Sequence, residues 1–331
     1  MARVTRADLH GQGRAGLARP GSARGAALRQ FVQNCPGPSW ETVISFARHP
    51  PRRRPCPSED VMSNTASSAG DKAGKAHWNQ VWSNRSLPKP VDPHARGFRQ
   101  YVRQAFHREF VRAFEGMDTK GQRLLEIGCG RSAWLPYLAR EFGFQVSGLD
   151  YTEIGCAQER DILASAGIPG EIVCADLFEP PERFVGAFDA VVSLGVVEHF
   201  EDTAGCLRAC ARYLRPGGRI VTEIPNMRGL VGWVAKVTDR PTYDVHVPLD
   251  REALVKAHRD AGLHVLRSDY ILPLDVSLFG VGSIGSRWLR LPAVGAASAV
   301  AELVWALDAR GLAPRPNAVT SPYIFCVAEK S

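Results

Sequence analysis

His199 in Val-Val-Glu-His-Phe (196–200) and His246 in Tyr-Asp-Val-His-Val-Pro-Leu (243–249) have the setting for acid–base chemistry. Imidazole titrates near neutrality, so either could remove a proton from an acceptor group. Each also has a plainer reading. His199 can give structural support beside a ligand or be an ordinary loop residue. His246, flanked by Val245 and Val247, can be a half-buried strand residue. Glu198 either anchors its neighbouring histidine or holds a loop turn. His258 and His264 read as a helix surface and a strand face. A second chemistry lies in Leu-Leu-Glu-Ile-Gly-Cys-Gly-Arg-Ser-Ala-Trp (124–134). The missing side chains of Gly128 and Gly130 permit a tight turn and bring backbone N–H groups against a ligand at a helix N-terminus. With Ala133 these glycines satisfy the G-x-G-x-x-G/A dinucleotide pattern. A Glu-x-Gly-x-Gly loop that packs on a sulfonium nucleotide fits them equally well. Asp150 can take ribose hydroxyls in both cases. No H-E-x-x-H or D-x-D spacing occurs, and Cys206 with Cys210 lacks the spacing of a zinc pair. A metal-independent chemistry is therefore expected.

The elements that position these residues alternate. "RLLEI" is a strand, followed by the glycine loop and a helix to Phe142. "FQVSGLD" is a second strand, and Thr152 is the N-cap expected for the next helix. "EIVCADL" and "FDAVVSL" are the third and fourth strands. "DTAGCLRACARYL" is a helix stopped by "RPGG", and "RIVTEIP" is the fifth strand. A loop is expected over 226–249, then a helix around "DREALVKAHRDAG", a strand "LHVLRSDYIL" and a closing strand "SPYIFCVAEK". Strands alternating with crossover helices imply an α/β, doubly wound, Rossmann-like parallel sheet. Ligands sit at the carboxyl ends of such strands, where Asp150, Ser193 and Leu194 fall. Before the sheet, residues 62–120 read as an N-terminal helical cap in which Trp78 and Trp82, one turn apart, pack as core. Between the last two strands, an apolar helical insert spans about 275–316. Its longest uncharged run, Leu291 to Ala301, is too short to span a bilayer. It can pack as core, line a hydrophobic pocket, or lie on a membrane surface as a peripheral contact.

Charge separates a leader from the body, which is read as the 121–331 catalytic domain. Residues 1–61 carry ten Arg and four acids, +6 of the chain's net +7. They read as a disordered basic leader, an over-extended start before Met62, or a transit peptide. The nearly neutral remainder excludes a nucleic-acid stripe. Eight cysteines without a C-x-x-C pair are the usage of a reducing compartment, so a cytoplasmic protein is expected.

Glu126 begins to separate the two nucleotides. A carboxylate is favourable beside an ammonium and a sulfonium, and repulsive beside a pyrophosphate. "LLEIGCG", "VSGLD", "VCADLFE", "FDAVVSLGVVEHF" and "LRPGGRIVTEIPN", in that order and spacing, resemble the class I S-adenosylmethionine-dependent methyltransferases. Within them the chain resembles the bacterial small-molecule branch that includes ubiquinone-pathway O-methyltransferases. The resemblance covers roughly residues 75–270, and Ser132 departs from the commonest glycine pattern. It implies a seven-stranded sheet of order 3-2-1-4-5-7-6 with the last strand antiparallel. It also implies S-adenosyl-L-methionine as cofactor and methyl transfer to a small-molecule acceptor. Oxygen is the expected target, on a sugar, quinone-like or lipid-linked molecule. Gly128, Cys129 and Gly130 would wrap the cofactor, Glu126 would face its ammonium, and Asp150 would take the ribose. Tyr151, Asp176 and Leu177 would contact adenine, Ser193 and Leu194 would offer backbone to the methionine part, and Glu198, of a Glu198-His199 pair that matches the family's, would also stand on the cofactor side. A non-catalytic cofactor-binding subunit and a nicotinamide-dependent oxidoreductase are the rivals. The oxidoreductase lacks a second constellation such as Tyr-x-x-x-Lys.

Overall fold

Alternating apolar runs and amphipathic stretches fold into one sheet clothed on both faces. The computed structural model describes residues 70–83, 87–95, 100–275, 296, 299–300 and 302–331. The leader, the polar start after Met62 and most of the insert lie outside the described residues. The elements are α1 (Lys75–Ser83), α2 (Tyr101–Ala113), β1 (Arg123–Ile127), α3 (Trp134–Phe142), β2 (Gln145–Asp150), α4 (Glu153–Ala166) and β3 (Gly170–Cys174). There follow β4 (Phe188–Leu194), α5 (Thr203–Ala211), β5 (Leu214–Pro225), α6 (Leu230–Thr238), α7 (Arg240–Asp244), α8 (Arg251–Asp260), β6 (Leu263–Ile271) and β7 (Tyr323–Lys330). The sheet order is β3-β2-β1-β4-β5-β7-β6. Strands β1 to β5 pair in parallel, and β7 runs against both β5 and β6. This is the order and the antiparallel last strand that the resemblance implies.

Successive residues of a strand point to opposite faces, so the sheet sorts its own side chains into two layers. Leu124, Val192, Val221 and Phe325 face one layer, with Phe106 and Phe110 of α2 and Trp134 of α3. Leu125, Val191, Ile220 and Ile324 face the other, with Leu207 of α5 and Leu254 of α8. Each such fully buried side chain stabilises the fold by about 1.5–3 kcal/mol. Phe106 stacks on Trp134, with ring centroids 5.2 Å apart, and so ties α2 to the helix that follows the glycine loop. Caps fix where helices begin: Thr152 accepts from Gly155 N, Asp202 from Gly205 N and Asp250 from Ala253 N.

Three local readings differ from expectation. The segment 226–249 is not a loop but holds α6 and α7. A Cβ on Gly232, within α6, would lie 1.8 Å from the Met227 carbonyl oxygen. That glycine serves close packing inside a helix. The third strand stops at Cys174, which leaves Asp176 and Leu177 beyond its end. His258 is not on a helix surface but fully buried, with Nδ1 on the Leu254 carbonyl and Nε2 on Thr222 Oγ1. Among the described residues no helix is long and apolar enough to cross a membrane.

Candidate active site

The glycine loop leaves β1 and is held against the end of β2. Gly128 has φ +74°, and a Cβ there would lie 2.4 Å from Val196 Cγ2. A Cβ on Gly130 would lie 2.8 Å from Asp150 Oδ2 and 3.2 Å from the Gly155 Cα. The first glycine is therefore needed for its backbone conformation and the second for close approach. Asp150 is fixed by three donors: Gly130 N at 3.0 Å, Thr152 N at 2.8 Å and Thr152 Oγ1 at 2.6 Å. Ser132, which departs from the glycine pattern, links the loop to the core. Its hydroxyl donates to Glu126 Oε1 at 2.7 Å and accepts from Trp134 N and Leu135 N, capping α3. Glu126 Oε2 has no hydrogen-bond partner among the described residues. Burial pushes the Glu126 carboxyl up to about 8, partly offset by the Ser132 hydrogen bond.

A cavity opens over this loop. Glu126, Gly128, Gly130, Asp150, Tyr151, Asp176, Leu177, Leu194 and His199 all line it. Cys129, Ser193, Glu198 and His246 do not. Cys129 is buried behind the loop, where its sulfur would meet a Cβ on Gly148 at 2.6 Å. Sequence reasoning missed Asp71, Glu223, Asp239, Thr242 and Tyr323, which also line the cavity, as do Trp78 and Trp82. Glu223 and Tyr323 arrive together because β7 pairs antiparallel with β5, setting Tyr323 opposite Pro225. Asp71 is brought in by a bridge to Phe200 and accepts from the Tyr151 hydroxyl at 2.9 Å. Six acidic side chains, Asp71, Glu126, Asp150, Asp176, Glu223 and Asp239, line it, with no Lys or Arg among the described residues. Such a wall attracts a cation and repels a pyrophosphate.

His199 and His246, 47 residues apart in the chain, meet with ring centroids 4.5 Å apart. Backbone bonds pin their segments: Val247 N donates to the Glu198 carbonyl and Lys72 N to that of His199. His199 Nδ1 donates to the Val245 carbonyl at 2.8 Å and His246 Nδ1 to that of Thr242 at 2.6 Å. The proton of each ring therefore sits on Nδ1, and each Nε2 carries a lone pair. Burial lowers His199 to about 4 and, with the neighbouring His199 ring, lowers His246 to about 3. Both are neutral at pH 7. Burial raises Glu198 to about 8. Glu198, His199 and His246 offer one ligand atom each within 4.8 Å of one another, a donor set that could hold a metal ion. Short-range spacing gave no sign of it, because His246 comes from another segment.

A family model described as a methyltransferase domain matches residues 125–222. The ubiquinone biosynthesis O-methyltransferase of Stutzerimonas stutzeri is 30% identical over 166 residues, covering 46% of this chain and 68% of that protein. The chain belongs to the class I S-adenosylmethionine-dependent methyltransferases. The ubiquinone biosynthesis O-methyltransferase of Sodalis glossinidius is 31% identical over 133 residues, covering 38% of this chain. There the chain spans about half the relative's length, 53%. Geranyl diphosphate C-methyltransferase from Streptomyces coelicolor shares the fold, with TM-score 0.50 and 15% identity over 76% of this chain and 96% of that one. The methyl donor of this methyltransferase family is S-adenosyl-L-methionine. Its sulfonium and ammonium are cations, and the acidic side chains of the lining, the Glu126 oxygen without a partner among the described residues and the two glycines without room for a Cβ fit it.

Proposed function

We propose that the chain transfers a methyl group from S-adenosyl-L-methionine to an oxygen of a small-molecule acceptor. Bound there, the cofactor supplies a methyl group activated on a sulfonium. The lining that carries six acidic side chains and, among the described residues, no Lys or Arg is the observation that carries this reading. In it Glu126 faces the ammonium, Gly128 and Gly130 pack on the methionine part, and Asp150 takes the ribose hydroxyls. Tyr151, Asp176 and Leu177 hold adenine, and the backbone at Ser193 and Leu194 completes the methionine end.

The acceptor takes the remaining space beside His199. Phe106, Met227, Val231 and Ala235 give it an apolar wall, and Glu223, Thr242 and Tyr323 give it a few polar contacts. This mixture suits a ring or chain that is partly hydrophobic and bears hydroxyls: a sugar, a quinone-like molecule or a lipid-linked one. Trp233 and Val237 of α6, 64% and 67% exposed, support peripheral membrane contact for a lipid-linked acceptor. The free cysteines, five of six buried among the described residues, suit a reducing, cytoplasmic setting. The residues of this chain align the acceptor, exclude water and handle its hydroxyl proton next to the Nε2 of His199. Labelled methyl transfer to a panel of hydroxylated sugars, phenols and quinols tests this. Methylated oxygen on one acceptor class is expected. Tight cofactor binding without turnover on any acceptor would favour the non-catalytic subunit.

A further inference from the structure

Behind the cavity wall the structure leaves four buried polar atoms unsatisfied in one place. His199 Nε2, His246 Nε2 and both carboxylate oxygens of Glu198 have no hydrogen-bond partner among the described residues. The three side chains are 3%, 2% and 1% exposed. Each such orphaned group costs about 1–3 kcal/mol, more if charged, so the cluster is built for an occupant. We propose that Glu198, His199 and His246 form a binding site for one divalent transition-metal ion. The donor set of two imidazoles and one carboxylate is that of open mononuclear sites, which keep a position for a substrate oxygen. Both rings are turned for it. Each donates its Nδ1 proton to a backbone carbonyl, which fixes the tautomer and leaves the Nε2 lone pair free to ligate.

The distances suit an open site that contracts on binding. Glu198 Oε1 lies 3.9 Å from His199 Nε2, and one donor atom of each residue lies within 4.8 Å of the others. Metal–nitrogen bonds of about 2.0–2.1 Å put ligand atoms roughly 3.3 Å apart, a side-chain shift of about 1 Å. Charges nearby are mixed. Lys72 Nζ donates to the His246 carbonyl at 3.0 Å, and its positive charge acts on both rings against a cation. His77 lies close to both rings, and the buried carboxyl of Glu223 lies close to Glu198. Because His199 also lines the cavity, an ion here would face the acceptor and lower the pKa of a coordinated hydroxyl. That role rests on the methyl-transfer reading; ion binding does not.

The test is calorimetric titration of the chelator-treated, full-length protein with zinc sulfate and, separately, manganese chloride. One ion per chain is expected. Glu198→Gln and His246→Ala should each weaken binding by roughly 100-fold, with S-adenosyl-L-methionine affinity changed by less than about twofold. No ion bound by wild type, or equal binding by the variants, would overturn the site. Should the variants fail to fold, cobalt(II) loaded into wild type decides. Visible d–d bands without a thiolate charge-transfer band are expected, and their absence, or a thiolate band, would overturn it. Failure of wild type to bind S-adenosyl-L-methionine, read in the same instrument, would instead count against the methyl-transfer reading.

Discussion

Glu126→Gln separates the electrostatic role of this carboxyl from its shape. The side chain is fully buried, with one oxygen held by Ser132 and the other unpartnered, and burial pushes the carboxyl up to about 8. In the ligand-free protein at pH 7 it therefore carries a proton that it must release when a cation binds beside it. Each unit between the pH and that value costs about 1.4 kcal/mol, so cofactor affinity should rise by about tenfold per pH unit below pH 8. The glutamine keeps the volume and the acceptor for Ser132 but cannot ionise. The slope should flatten, and affinity near neutrality should fall by about 1.5–3 kcal/mol, roughly 10- to 150-fold, the worth of a hydrogen bond to a charged group. Isothermal titration from about pH 6 to about pH 7.5 is the assay. It stays below the range of about 7.7–8.0 in which an α-amino group itself titrates. A wild-type affinity flat with pH, or a glutamine variant with the same slope, would refute the reasoning.

Other outcomes follow from the same physics. Glu126 and Glu198, raised to about 8, and Glu159 and Glu223, raised well above their ordinary value of 4.5, hold protons that the unfolded chain releases. Between about pH 6.5 and 8 the folded state binds more protons, so the melting temperature of the ligand-free protein should fall as pH rises; a rise would contradict this. Below about pH 6.5, His199, His246 and His258, held neutral by burial, oppose that trend. Gly128→Ala places a Cβ 2.4 Å from Val196 Cγ2 at φ +74°, and urea denaturation should register a loss of about 2–5 kcal/mol. A loss below about 1 kcal/mol would mean the loop relaxes freely. His246→Ala should lower turnover with cofactor affinity little changed. Full activity in that variant would leave His199 as the acceptor-side group.

The sheet could be read from sequence because apolar runs, caps and breakers are local. The glycine loop, Asp150 and Asp176 were readable because strand ends in such sheets carry ligands. Residues supplied by pairing between distant segments were not. Nothing near Tyr323 marks it as a cavity residue until β7 is set antiparallel against β5. Nothing near His246 announces Glu198 and His199 until Val247 bonds the loop that carries them. Ser132 looked like a missing glycine, and its use as cap and as partner of Glu126 appears only when the loop closes on β1.

Which nucleotide the acidic cavity takes is the claim on which the rest depends. Titrating wild type and Asp150→Ala with S-adenosyl-L-methionine and with NADH measures it directly. One molar equivalent of S-adenosyl-L-methionine should bind wild type, bind the variant much more weakly, and NADH should not bind. Binding of NADH in place of S-adenosyl-L-methionine would contradict the account.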